Sequence, residues 1–130
     1  SYHTDAPLDM RMDTDAALTA REVVNRYGEA ELARILREYG EERFSGRIAN
    51  RIVNIRKENP IETTAQLASI VREAIPAKFR NEPQHPARRT FQAVRIEVNG
   101  ELAGLREAVE QAHGLLQTGG RLCIITFHSL

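Results

Sequence analysis

The sequence predicts a mainly α-helical protein: a small helical domain joined to a fragment of an α/β core, the fragment being a long helix or helix pair and one strand. Three observations predict this. Apolar residues recur at helical spacing in four short segments between residues 19 and 75, and capping and stop signals bracket those segments. Only residues 121–127 have the β-branched, apolar character of a buried strand. At 130 residues and 42% apolar content, the chain has enough material for one core.

Residues 1–18 are expected to be irregular, because Pro7 and the run Asp5, Asp9, Asp13 and Asp15 favour turns and caps. Thr19-x-x-Glu22 is a capping-box signal that opens a first helix through Val23, Val24 and Tyr27, with Gly28 as its stop. Leu32, Ile35, Leu36 and Tyr39 give a second helix ending at Gly40. Phe44, Ile48, Ile52 and Ile55 carry a third, terminated by Asn59-Pro60. Thr63-x-x-Gln66 opens a fourth, with Leu67, Ile70, Val71, Ala74 and Ile75 on its buried face and Pro76 closing it. Residues 76–87 hold three of the five prolines and form a loop or linker.

The next segment carries two signals. Val94, Ile96 and Val98 alternate into Asn99-Gly100, a hairpin signature. Against it, Phe91, Val94, Val98, Leu102, Leu105, Val109, Ala112 and Leu116 hold one helical face, and no period-2 strand follows Gly100. The expectation is a helix with a break at Asn99-Gly100, ended by Gly119-Gly120 before the strand. A buried strand without neighbours leaves its backbone groups unsatisfied. The chain is therefore expected to be part of a larger α/β protein, or a protomer that borrows strands from another copy.

Composition excludes several classes. A lone cysteine, Cys123, rules out a disulfide scaffold and fits a reducing cytoplasm. The longest wholly apolar run, residues 122–125, is far short of the roughly 20 residues of a membrane span. The first residues show no basic-then-apolar leader pattern, so the chain reads as one entered partway. Net charge is zero, from 18 basic and 18 acidic residues, but the distribution is uneven. Residues 1–42 carry 5 basic and 10 acidic side chains, whereas 43–58 and 77–96 each carry 5 basic and 1 acidic. Sixteen of the basic residues are Arg, whose planar fork suits phosphate and stacks on bases.

Metal and nucleophile signatures are missing. His3, His85, His113 and His128 are scattered, and no metal-ligand spacing, Walker A or G-x-G-x-x-G loop occurs. Cys123 has the setting of an inert core thiol. Four polar features remain. The Asp5 to Asp13 stretch includes Asp9 and Arg11, either a binding loop or a loop pinned by an Asp–Arg pair. Arg88 and Arg89 open a helix, either to hold a phosphodiester or as solvated end residues. His128 and Ser129 follow the strand, at the edge where open α/β sheets bind ligands. Arg43, Arg47 and Arg51 form one stripe, suited to tracking RNA phosphates or to pairing with Glu beside the core.

Four strings carry a family resemblance: Asp5-Ala-Pro-Leu-Asp-Met-Arg-Met-Asp13, Arg37-Glu-Tyr-Gly-Glu-Glu-Arg-Phe44, His85-Pro-Ala-Arg-Arg-Thr-Phe-Gln-Ala-Val-Arg-Ile-Glu-Val-Asn99 and Ile125-Thr-Phe-His-Ser-Leu130. In this order they closely resemble the MraW/RsmH family of bacterial S-adenosylmethionine-dependent methyltransferases. The resemblance implies methylation of the exocyclic N4 amino group of a cytidine in the decoding region of small-subunit (16S) ribosomal RNA, in the cytoplasm, with the 30S subunit as partner and no membrane. It implies direct, in-line attack of the amino nitrogen on the sulfonium methyl, with the cytosine splayed from its neighbours.

The resemblance also implies an internal fragment. Residues 1–14 would be a loop of a class I, Rossmann-like methyltransferase core, 15–78 a helical insertion domain for substrate recognition, and 79–130 the return to the core. The family's Gly-rich cofactor loop would precede Ser1, so no S-adenosylmethionine-binding residues are expected within the chain and the fragment alone would be inactive. His128 and Ser129 become candidates for the cytidine side. Asp9, Arg11, Arg88, Arg89, Arg43, Arg47 and Arg51 become candidates for the RNA side, and no metal is expected. Two other readings stay open at this point: a non-catalytic helical RNA-binding or protein-interaction module, and a homodimer or strand-exchanged assembly.

Overall fold

The computed structural model describes residues 5–81 and 84–100. Among them the elements are α1 (Ala20–Arg26), α2 (Glu29–Gly40), α3 (Ser45–Arg56), α4 (Thr64–Ala74), a 3-10 turn at Ala77–Phe79, and α5 (Arg88–Asn99). The four helices expected between residues 19 and 75 all form. The expected helix from residue 88 forms as far as Asn99, where Gly100 departs at φ 60°. Its continuation, the Gly119-Gly120 turn, the strand at 121–127, His128 and Ser129 lie outside the described residues.

Local chemistry accounts for most boundaries. At α4 the capping box is complete: Thr63 accepts the Gln66 N–H at 3.3 Å, and the Gln66 side chain accepts the Thr63 N–H at 3.0 Å. Thr19 likewise caps α1, accepting the Glu22 N–H at 3.4 Å. Two glycines stand at helix boundaries without being left-handed themselves. Gly28 does not stop α1 in a left-handed turn; Tyr27 is the C-cap, and Gly28 is the extended N-cap of α2 at φ −69°. Gly40 is the last residue of α2, where the sequence places the end of the helix. It stays helical, and the left-handed turn falls on Glu41 at φ 52°. The reason is steric: a Cβ on Gly40 would lie 2.5 Å from the Arg89 carbonyl oxygen, so only glycine lets α2 and α5 approach this closely.

The core is assembled from one stripe of each helix. Val23 and Val24 of α1, Leu32, Ile35 and Leu36 of α2, Ile48 and Ile52 of α3, Leu67 and Val71 of α4, and Val94 of α5 are almost completely buried. Helix α2 is central and packs on both α3 and α5; α4 lies on α3, and α1 touches α3 and α5. Residues up to Asn99 form one compact unit, so α5 shares the core of the four preceding helices.

The N-terminal segment is irregular but not loose. Leu8 is buried, and an antiparallel bridge between Pro7 and Thr63 stitches the segment to the start of α4 through Leu8 N–H to Glu62 O at 3.1 Å and Thr64 N–H to Ala6 O at 2.8 Å. Two asparagines act as substitute peptide groups. Asn25 donates to Ile61 O at 2.8 Å and accepts Ile61 N–H at 2.8 Å, docking the loop before α4 onto α1. Asn99 donates to Met10 O at 2.9 Å and accepts Met12 N–H at 2.8 Å, tying the end of α5 to the N-terminal loop. No described helix is long and apolar enough to cross a membrane.

Candidate nucleic-acid interface

The two Arg-rich stretches meet in a cleft of about 240 Å³ lined by Arg43 and Phe44 from the α2–α3 junction, Phe79 from the 3-10 turn, His85 from the turn before α5, and Arg88 and Arg89 from the first turn of α5. The αL residue Glu41 makes the convergence possible. It turns the chain sharply out of α2, so that Glu42 points inward at 3% exposure while Arg43 is exposed. Glu42 accepts the Phe44 N–H at 3.1 Å. His85 orders the opposite wall, its Nδ1 accepting the Ala87 N–H at 3.0 Å and its carbonyl accepting the Arg88 N–H at 3.0 Å.

Arg43 is held by aromatic faces. Its guanidinium carbon lies 4.8 Å from the Phe44 ring centroid and 4.5 Å from that of Phe79. The two centroids are only 5.3 Å apart, so the guanidinium caps both rings from one side instead of lying between them. The ammonium of Lys78 adds a further cation 5.1 Å from the Phe79 centroid.

The candidate cations outside the cleft have structural partners. Arg47 donates from Nε to Ala74 O at 3.0 Å, and Arg51 pairs with Glu73 at 2.5 Å, so the stripe splits: only Arg43 of the three reaches the cleft. Together with Arg80, which donates to Ile75 O at 2.9 Å, Arg47 caps the carbonyl end of α4. Asp9 and Arg11 form a two-point fork, 2.6 and 2.8 Å, and Arg11 Nη1 continues to the carbonyls of Thr14 at 3.0 Å and Ala16 at 2.8 Å. The pair pins the loop through the strained Met10, φ 62°. Arg11's hydrogen bonds hold the Asp9 carboxyl below its usual range, and Asp9 in turn raises Arg11.

Among the described residues, no group of three or more His, Cys, Asp or Glu is placed to hold a metal ion. Phe79 and Lys78 were not singled out by sequence reasoning, whereas His85 belongs to the polar stretch that leads into Arg88 and Arg89. The signal of the first two is weak, an aromatic and a cation in a proline-bearing loop. Asn25 was legible only as a poor helix former at a helical position, and Asn99 only as part of the Asn99-Gly100 break.

A sequence model described as the MraW methylase family matches residues 1–130, the whole chain. The chain belongs to this family. Three curated relatives bear the name ribosomal RNA small subunit methyltransferase H. The one from Clostridium botulinum (strain Kyoto / Type A2) is 60% identical over 130 residues, covering all of this chain and 42% of the relative. That from Symbiobacterium thermophilum is 59% identical, with 41% of its length covered, and that from Ruminiclostridium cellulolyticum is 53% identical, with 42% covered. The chain thus spans about two-fifths of these MraW methylases.

Proposed function

We propose that the chain is the substrate-side portion of an S-adenosylmethionine-dependent methyltransferase that modifies the N4 amino group of a cytidine in small-subunit ribosomal RNA within the 30S subunit. One observation carries this reading: relatives named for that RNA align with the whole chain at 53–60% identity. In it, residues 15–78 are the helical insertion, and residues 1–14 and 79–130 belong to the methyltransferase core. The bonds of Asn99 to Met10 and Met12 join the two flanking stretches to each other, while α5 also packs on α2 of the insertion.

S-adenosylmethionine supplies an activated methyl group when bound. Among the described glycines Gly28 caps α2, Gly46 lies in α3, Gly40 is packed on Arg89 and Gly100 stands alone after α5, so these four do not make a Gly-rich turn for the cofactor. The role assigned to this chain is to bind and orient RNA. Arg88 and Arg89 hold its backbone, and His128 and Ser129 line the cytidine side.

The test uses the complete enzyme, 30S subunits and methyl-labelled cofactor, with the modified nucleoside identified by mass spectrometry. Label at cytidine N4 is expected, with no measurable cofactor binding by the 130-residue chain alone. Label on a ring carbon or another base would overturn the reaction assignment. A His128→Ala enzyme should lose most of its rate while keeping cofactor affinity; unchanged methylation would remove His128 from the site.

A further inference from the structure

We propose that the cleft between the α2–α3 junction, the 3-10 turn and the start of α5 is a subsite for single-stranded RNA, in which Arg88 and Arg89 take a phosphodiester and the outer face of Arg43 stacks on an unpaired base. The inference rests on the rRNA reading above and specifies how that RNA is gripped away from the reacting amino group.

Charge is the first argument. Among the described residues, Arg21, Arg34 and Arg51 pair with carboxylates, and Arg47, Arg56 and Arg80 bond to main-chain carbonyls. Arg43, Arg88 and Arg89 form no ion pair among those residues, yet they share one cleft. Bringing three cations to one cleft costs energy that an anion recovers. Glu42, the carboxylate lining the cleft, is 3% exposed and accepts the Phe44 N–H.

Shape is the second. The guanidinium of Arg43 lies over the Phe44–Phe79 pair while the residue remains exposed, so it can be approached by a base from the solvent side. A base completes the stack that the two rings begin. At about 240 Å³ the cleft is smaller than the pockets, roughly 300–1,000 Å³, that enclose a free metabolite, which suits one unit of a passing chain. Duplex RNA keeps its base faces stacked internally, so only an unpaired or splayed segment satisfies both walls at once.

The experiment measures binding of the complete enzyme to a mixed-sequence single-stranded oligoribonucleotide, and to its blunt duplex, across a salt series by fluorescence anisotropy. Preference for the single strand is expected. Arg43→Lys keeps the charge but lacks the planar face; it should weaken binding about tenfold with the salt slope unchanged. Arg88→Ala and Arg89→Ala should each lower the slope of log K against log salt by about 0.7. Unaltered thermal unfolding of Arg43→Lys separates this effect from misfolding. Wild-type affinity in Arg43→Lys, an unchanged slope in the double Ala variant, equal duplex binding, or displacement of the RNA by a poly-glutamate peptide would each overturn the subsite. An enzyme that transfers no methyl group to 30S subunits would instead defeat the rRNA reading, so the two failures are distinct.

Discussion

Gly40 and Gly46 show how one residue type answers to two different constraints. Gly40 lies against the Arg89 carbonyl, where a Cβ would sit at 2.5 Å from a main-chain oxygen that has no rotamer with which to yield. Gly46 is inside α3 with nothing within 4 Å of the added carbon. Gly40→Ala should therefore destabilise by about 1–3 kcal/mol through forced separation of the helices. Gly46→Ala should stabilise by about 0.5–1 kcal/mol, because alanine loses less backbone entropy in a helix. Urea unfolding of the two variants checks both signs. In the sequence the two glycines are equivalent in kind, and Gly40 has the look of a helix stop. What distinguishes it is a contact with a residue far along the chain, which no local pattern encodes. Arg43 is similar: its spacing puts it on a stripe with Arg47 and Arg51, but the turn at Glu41 gives it separate surroundings.

At the scale of elements, the helices were the most legible part of the molecule, since each carries an apolar stripe at the 3.6-residue period and a chemical boundary marker. The strongest marker is the capping box of α4, which also positions Glu62 to form its fork with Arg21 at 2.8 and 2.9 Å. Thr63→Ala should cost about 1 kcal/mol and raise amide exchange at the first turn of α4 in hydrogen-exchange measurements. The connections were less legible. The Pro7–Thr63 bridge and the Asn25–Ile61 pair link segments remote in sequence through polar groups that any surface loop offers. The cleft was half legible: Arg88 and Arg89 announce themselves as a pair at a helix start, whereas Phe44 reads as one more core residue of α3 until Phe79 is placed beside it.

For the whole molecule, α5 closes the bundle, and its link to α1 is polar as well as apolar. The Tyr27 hydroxyl donates to Glu97 Oε2 at 2.5 Å. Burial, and then this bond beside a carboxylate, hold the phenol protonated well above its ordinary pKa of 10. A phenol whose pKa is higher in the folded than in the unfolded state stabilises the fold fully below pH 10, and that contribution fades as pH rises above 10 toward the folded value. Stability of the wild type should therefore fall more steeply above pH 10 than that of Tyr27→Phe, which cannot ionise there. Thermal melts of both proteins from pH 8 to about 11 give the comparison; parallel curves would mean that the Tyr27–Glu97 bond does not persist in solution.

The main-chain contact at Gly40 has a consequence for recognition. Arg43 follows it by one short turn, and Arg89 supplies the carbonyl it faces, so the two walls of the cleft are spaced by a main-chain approach with only the small Ala93 side chain beside it. Such a gap behaves as a fixed gauge. On the subsite proposed above, a strand of the right thickness would enter without the protein surrendering conformational freedom, retaining affinity that an adaptable surface loses to ordering.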